Sequence, residues 1–141
     1  MQKVQLHFLD RSPILKERTR LKRFIENLFS KEKVKLGSLS YIFCSDEHLL
    51  KINTDFLKHD FYTDVITFDL SSSKKEIEGE IYLSVDRIKD NATTEGVSFK
   101  EELHRVIFHG ALHLCGYKDK KKEEITKMRE KEERYLKLYF S

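Results

Sequence analysis

The chain has 141 residues, with 27 Lys and Arg against 24 Asp and Glu, for a formal charge of +3. That length fits one compact domain burying about two-thirds of its unfolded surface, and ten Phe with six Tyr give a core that a disordered chain lacks. No apolar run approaches the roughly eighteen residues of a membrane span, and the mild basic excess is compatible with a polyanion partner without requiring one.

Val4, Leu6 and Phe8 alternate, which predicts a strand over 3–9. Ser12-Pro13 then reads as a helix start, with Ser12 as N-cap. Ile14, Leu15, Arg18, Leu21, Ile25, Leu28 and Phe29 follow at helical spacing. Residues 30–35 form a connection, and LSYIFC at 39–44 reads as a buried strand. Ser45 caps a helix running to about Leu57, with Asp46 and Glu47 in its first turn. VITFDL at 65–70 and residues 81–85 predict two more strands, close enough in sequence to pair antiparallel. A short helix is expected over 85–93. Ser98 is read as capping a helix to Leu114, with Gly116 just past its end. Its apolar set is Leu103, Val106, Ile107, Gly110, Ala111 and Leu114, a narrow stripe with a small-residue patch for close packing. A charged last helix spans about 121–139, with Ile125, Met128, Tyr135 and Tyr139 inward.

Strands and helices without strict alternation predict an α+β fold, with a mixed sheet of about four strands packed with helices in one domain over 1–141. The alternating MQKVQLHFLDRS start lacks the apolar block of a signal peptide. Cys44 and Cys115 form no CxxC pair, so a cytoplasmic protein with two reduced thiols is expected.

His109 and His113 lie four residues apart on the predicted helix, about 6 Å along its axis and on one face. That spacing offers two imidazoles to one metal ion. The helix then stops at Gly116, and Asp119, six residues past His113, is placed to give a third, oxygen ligand. Three protein ligands with one open position suit hydrolytic zinc. In an H-E-x-x-H peptidase the residue after the first His is a Glu general base. Here it is Gly110, which disfavours peptide hydrolysis by that route. His104 points about 140° around the helix from His109 and is not counted as a ligand; His7, His48 and His59 read as surface residues. Tyr117 reads as packing, and Asp64 and Thr67 as braces of the cleft.

The segment His109 to Tyr117, HGALHLCGY, closely resembles the signature of the YbeY family of bacterial rRNA-maturation endoribonucleases. Thr63-Asp64-Val65-Ile66-Thr67-Phe68 is similar to a second family block, Gly79-Glu80-Ile81 to a third, and Glu101-Glu102-Leu103 with Arg105-Val106 to the start of its histidine helix. Asn53 begins the segment leading to the first of these. The resemblance implies a zincin-like α+β fold and a single-strand-specific, metal-dependent endoribonuclease acting in 16S rRNA 3′-end maturation and ribosome quality control. It implies one Zn2+ (or another divalent ion) on His109, His113 and the residue at position 119, where the family has a third His and this chain has Asp119. An anionic ligand there leaves the centre less positive. The family's phosphate-binding Arg falls at Leu57, with Lys58 or His59 as the nearest replacement.

The expected partners are single-stranded RNA (a 16S rRNA precursor) and the ribosome or its proteins, with no DNA and no membrane. His109 and His113 are the expected catalytic ligands. Lys58, Lys118 and Lys120, with neighbouring Lys121 and Lys122, are expected to hold flanking phosphates. Two other readings stay open: a metallohydrolase of peptides or small molecules, and a ribosome assembly factor whose metal is structural.

Overall fold

A computed structural model describes residues 3–141 except Ile14 and Asp60. The elements are β1 (Val4–Phe8), α1 (Arg18–Lys31), β2 (Leu36–Cys44), α2 (Asp46–Leu57), β3 (Val65–Asp69), β4 (Ile77–Ser84), α3 (Val85–Glu95), α4 (Phe99–Leu114) and α5 (Lys122–Phe140). The sheet order is β1-β2-β4-β3, with β2 parallel to both β1 and β4, and β3 antiparallel to β4. The fold is α+β with a four-stranded mixed sheet, as the sequence predicts, and β3 is left as an edge strand. Among the described residues no helix is long and apolar enough to cross a membrane.

Side-chain alternation divides the sheet's two faces. Leu39, Tyr41 and Phe43 of β2 and Ile81 and Leu83 of β4 join the main core with α1, α4 and α5. Cys44 and Ile66 face the other way and pack with Leu49 and Ile52 of α2. Ser45 and Ser98 cap α2 and α4 as read, accepting from His48 and Glu101 backbone N–H at 3.1 and 3.0 Å, and Ser84, not read as a cap, does the same for α3 through Arg87 N–H at 3.0 Å.

Four expectations change. First, α1 begins at Arg18 rather than at Ser12-Pro13, because Glu17 sits in the left-handed region at φ 54°, which ends a right-handed helix on its N-terminal side. Upstream, Asp10 accepts from Ser45 and Arg11 donates to Asp86, and the run from these anchors to α1 has no regular secondary structure among its described residues. Leu15 is buried in that run; Ile14 lies outside the described residues. Second, β2 and β4 start earlier, at Leu36 and Ile77, where the two strands pair with each other. Third, Ile125 is not inward but 45% exposed, because it stands in the first turn of α5, ahead of the docked part of that helix.

Fourth, α4 carries no narrow stripe. Glu102, His104, Phe108 and Leu112 are buried along with its apolar set, since α1, α3, α5 and the sheet all pack on it. Such a central helix must lie close to the sheet. A Cβ on Gly110 would come within 2.8 Å of Ile81 Cδ1 and 2.9 Å of its Cγ2, so glycine is what permits the approach. Tyr41, buried, donates to the Ile107 carbonyl at 2.8 Å and fixes helix against strand.

Gly110→Ala therefore sets a gain of about 1 kcal/mol in helix propensity against overpacking of about 1–3 kcal/mol. The expected net effect is a loss of stability of about 1 kcal/mol, seen as a lower urea midpoint at unchanged slope; a raised midpoint would contradict the close packing.

Candidate metal centre

The site is built where α4 ends. Gly116, at φ 107°, occupies the position just past the helix end that favours glycine. Tyr117 N–H returns to the Leu112 carbonyl at 3.1 Å and Gly116 N–H to His113 at 3.0 Å, the paired bonds of a Schellman turn. The reversal brings the Tyr117 carbonyl to 2.8 Å from His113 Nδ1. It also carries Asp119 back over the helix face, with Oδ2 at 3.4 Å from His109 Nε2 and 3.3 Å from His113 Nε2. One ligand atom from each of the three residues lies within 4.8 Å of the others.

The tautomers follow from the other ring nitrogens. His109 Nδ1 lies 2.6 Å from Glu132 Oε2, and His113 Nδ1 faces a carbonyl, which can only accept. With both Nδ1 atoms donating, each Nε2 presents its lone pair toward Asp119. Two such nitrogens and a carboxylate fit a divalent ion, and the outer hydrogen bonds are those that orient metal-binding imidazoles.

Burial by itself would push the His109 pKa down. The hydrogen bond and charge of Glu132, followed by the charges of Asp119 and Asp64, outweigh it and raise the value. Asp64 is pushed up, chiefly by burial and against the pull of His109; it accepts from Asn91 at 3.4 Å and lines the cleft, as does Thr67. Thr67 Oγ1 is buried with no hydrogen-bond partner among the described residues.

Glu132 is the site residue that sequence reading missed. It is 3% exposed on α5 and also meets Arg105 Nη1 at 3.5 Å. Its signal was present: Met128, Glu132, Tyr135 and Tyr139 form the buried side of α5, and a carboxylate inside an apolar helical stripe needs a partner. Tyr117 packs as read, donating to Glu32 at 2.6 Å. His104 stays outside the site, stacked on Tyr139. His7 and His59 are exposed, while His48 is half-buried.

Two cavities meet at the ligands. One of about 490 Å³ runs beside the β3 edge, lined by Leu57, His59, Phe61, Thr67, His109, His113 and Asp119 among others. The second, of about 330 Å³, lies behind His109 and includes Glu102, Arg105, Arg129 and Glu132. Among the described residues, no lysine lines either cavity. Lys58 caps α2 with Nζ 3.5 Å from the Asp55 carbonyl, and Lys118 and Lys120 are exposed on the turn. The backbone N–H groups of Lys120 and Lys121 donate to Glu124 at 3.2 and 2.9 Å, which satisfies the start of α5.

Residues 10–139 match the family model described as Endoribonuclease YbeY. The Endoribonuclease YbeY of Cytophaga hutchinsonii is 52% identical over 124 residues, 88% of this chain and 87% of that one. That of Christiangramia forsetii is 40% identical over 140 residues, 99% and 97% of the two chains. The solution structure of TM1509 from Thermotoga maritima superposes with a TM-score of 0.62 at 28% identity, covering 96% of this chain and 89% of that one.

Glu132→Gln keeps the size of the side chain but removes its charge, and is expected to weaken zinc affinity about 10- to 100-fold, read by competition with a chelating dye. Unchanged affinity would remove Glu132 from the site. A pH effect comes from Glu102, which burial, then the charge of Glu95, raise from 4.5 to about 7 against Arg105. The folded chain thus holds a proton that the unfolded chain releases, so stability falls as pH rises from about 4.5 to about 7. Glu102→Gln should melt increasingly above wild type between pH 5 and 8; parallel melting curves would contradict this.

Proposed function

The chain belongs to the endoribonuclease YbeY family, and from that membership we propose that it cleaves single-stranded RNA at a metal centre on His109, His113 and Asp119. The convergence of those three ligand atoms within 4.8 Å, at the head of a groove open along the β3 edge, carries this reading. Zinc is the ion proposed, since two imidazoles and a carboxylate suit it. A divalent ion held there supplies Lewis-acid chemistry at a phosphodiester.

The chain's own residues prepare that chemistry. Glu132 and the Tyr117 carbonyl hold the two imidazoles in one tautomer, with Nε2 turned to the groove. Asp119 completes the donor set with a negative charge. Asp64 and Thr67 wall the groove beside His109. Lys118 and Lys120, exposed on the turn that carries Asp119, are proposed to hold phosphates of the RNA on that side, and Lys58 those near the α2 end. The RNA proposed is the 3′ end of a 16S rRNA precursor in the cytoplasm, with the ribosome as partner, and residues 1–141 act as one domain.

Peptide hydrolysis is disfavoured by position as well as by type. Gly110 has no side chain to act as a base, and it packs against Ile81 rather than facing the groove.

The test is cleavage of single- and double-stranded RNA, with casein as control, by a nuclease-free preparation. Expected is cutting of the single strand only, abolished by chelator, restored by zinc and lost in His113→Ala. Chelator-resistant cutting, or an active His113→Ala protein, would overturn the metal-centred reading.

A further inference from the structure

The groove that reaches the metal ligands has an outer wall that the metal centre does not use. Four of the large apolar side chains exposed on this protein fall within residues 56–62: Phe56, Leu57, Phe61 and Tyr62. Single exposed apolar residues are ordinary, whereas a cluster marks a contact surface, and of these four Leu57 and Phe61 line the groove. Leu57, His59 and Phe61 line the same groove as His109, His113 and Asp119.

Two of these rings are already ordered as a stack. The centroids of His59 and Phe61 lie 5.1 Å apart with planes 19° from parallel, and Phe61 remains 56% exposed. The chain that carries them is tied back to α2 by three hydrogen bonds. His59 N–H donates to the Asn53 carbonyl at 3.1 Å, Thr54 Oγ1 donates to the His59 carbonyl at 3.1 Å, and Asn53 Nδ2 donates to the Phe61 carbonyl at 2.8 Å. Asn53 itself is buried. Lys58, at φ 59°, makes the left-handed turn that starts this connection. A loop closed only to join α2 to β3 has no need to hold two parallel rings in water.

We propose that the His59–Phe61 stack is a platform for an unpaired nucleobase of the RNA lying in the metal groove, a proposal that rests on the endoribonuclease reading above. An aromatic face accepts any base, because every base has a π face. The bases it can hold must be unstacked from a complementary strand, so the platform selects single strands without reading sequence. Leu57 at the lip of the groove offers a phosphate no donor, so beside any phosphate held by Lys58 the bases supply a second grip at this end. Phe61 is a positioning residue here: it holds the nucleotide beside the cut and does not touch the reacting atoms.

The experiment is steady-state cleavage of a short 5′-labelled single-stranded RNA by the full chain with its metal. Phe61→Ala and Phe61→Leu are each expected to raise KM about tenfold, from the loss of one stacking contact, with kcat within about twofold. Phe61→Trp should keep KM at or below that of wild type. In wild type, an abasic nucleotide at one fixed offset from the cut should raise KM by the same factor, and in Phe61→Ala it should add nothing. Phe61 is exposed, so all three variants should melt with wild type. An unchanged KM in Phe61→Ala overturns the platform while RNA cleavage stands, and so does a Phe61→Leu that matches wild type, since that contact is apolar without stacking. A wild type that cuts no RNA overturns the endoribonuclease reading itself.

Discussion

A carboxylate taken out of water must be paired, or its desolvation is left uncompensated. Glu132, 3% exposed, is paired with His109 Nδ1 at 2.6 Å and with Arg105 at 3.5 Å, and the geometry of the candidate metal centre depends on that arrangement. It requires α5 to dock along α4, which Met128, Tyr135, Leu136 and Tyr139 secure in the main core. A second carboxylate plays the matching part for His113. Glu32, at the end of α1, accepts from Tyr117 at 2.6 Å and from Tyr135, and pairs with Lys131 at 3.2 Å. Tyr117, whose carbonyl orients His113, is therefore tied through its hydroxyl to Glu32 at the end of α1, and through Glu32 to α5.

Charge explains why such a site would take up a cation. Asp119, Asp64 and Glu132 surround His109, and their combined effect overcomes burial to raise its pKa. Asp119 adds a negative charge where a third imidazole would add none, so the centre is less positive than an all-histidine site. The groove beyond is of a different character, with aromatic and aliphatic rims around His59 and Phe61. The cleft is thus anionic at its head and apolar at its mouth.

Much of this was legible in the sequence, for reasons that differ by residue. The helix holding His109 and His113 announces itself by Ser98 before it and Gly116 after it, since cap and turn chemistry is local. Asp119 follows from the reversal at Gly116. The α+β arrangement and the β3–β4 pairing rest on strand alternation and short spacing, which are also local. Three things depended on distant partners and were missed. The start of α1 moved because Asp10 and Arg11 bind the ends of α2 and α3. The all-round burial of α4 arises from four neighbours that its own periodicity cannot reveal. Glu132 reads as one more acid in a charged helix until the inward side of α5 is traced through it. The stack of His59 on Phe61 is likewise invisible, because it is set by hydrogen bonds from Asn53 and Thr54.

The central claim is that His109, His113 and Asp119 together hold one divalent ion. Anomalous diffraction at the zinc edge, from crystals of protein purified without chelator, tests it most directly. The account predicts one peak, bonded to His109 Nε2, His113 Nε2 and an Asp119 carboxylate oxygen. Zinc bound at other residues, or an empty site in protein that still cuts RNA in the presence of chelator, would contradict it.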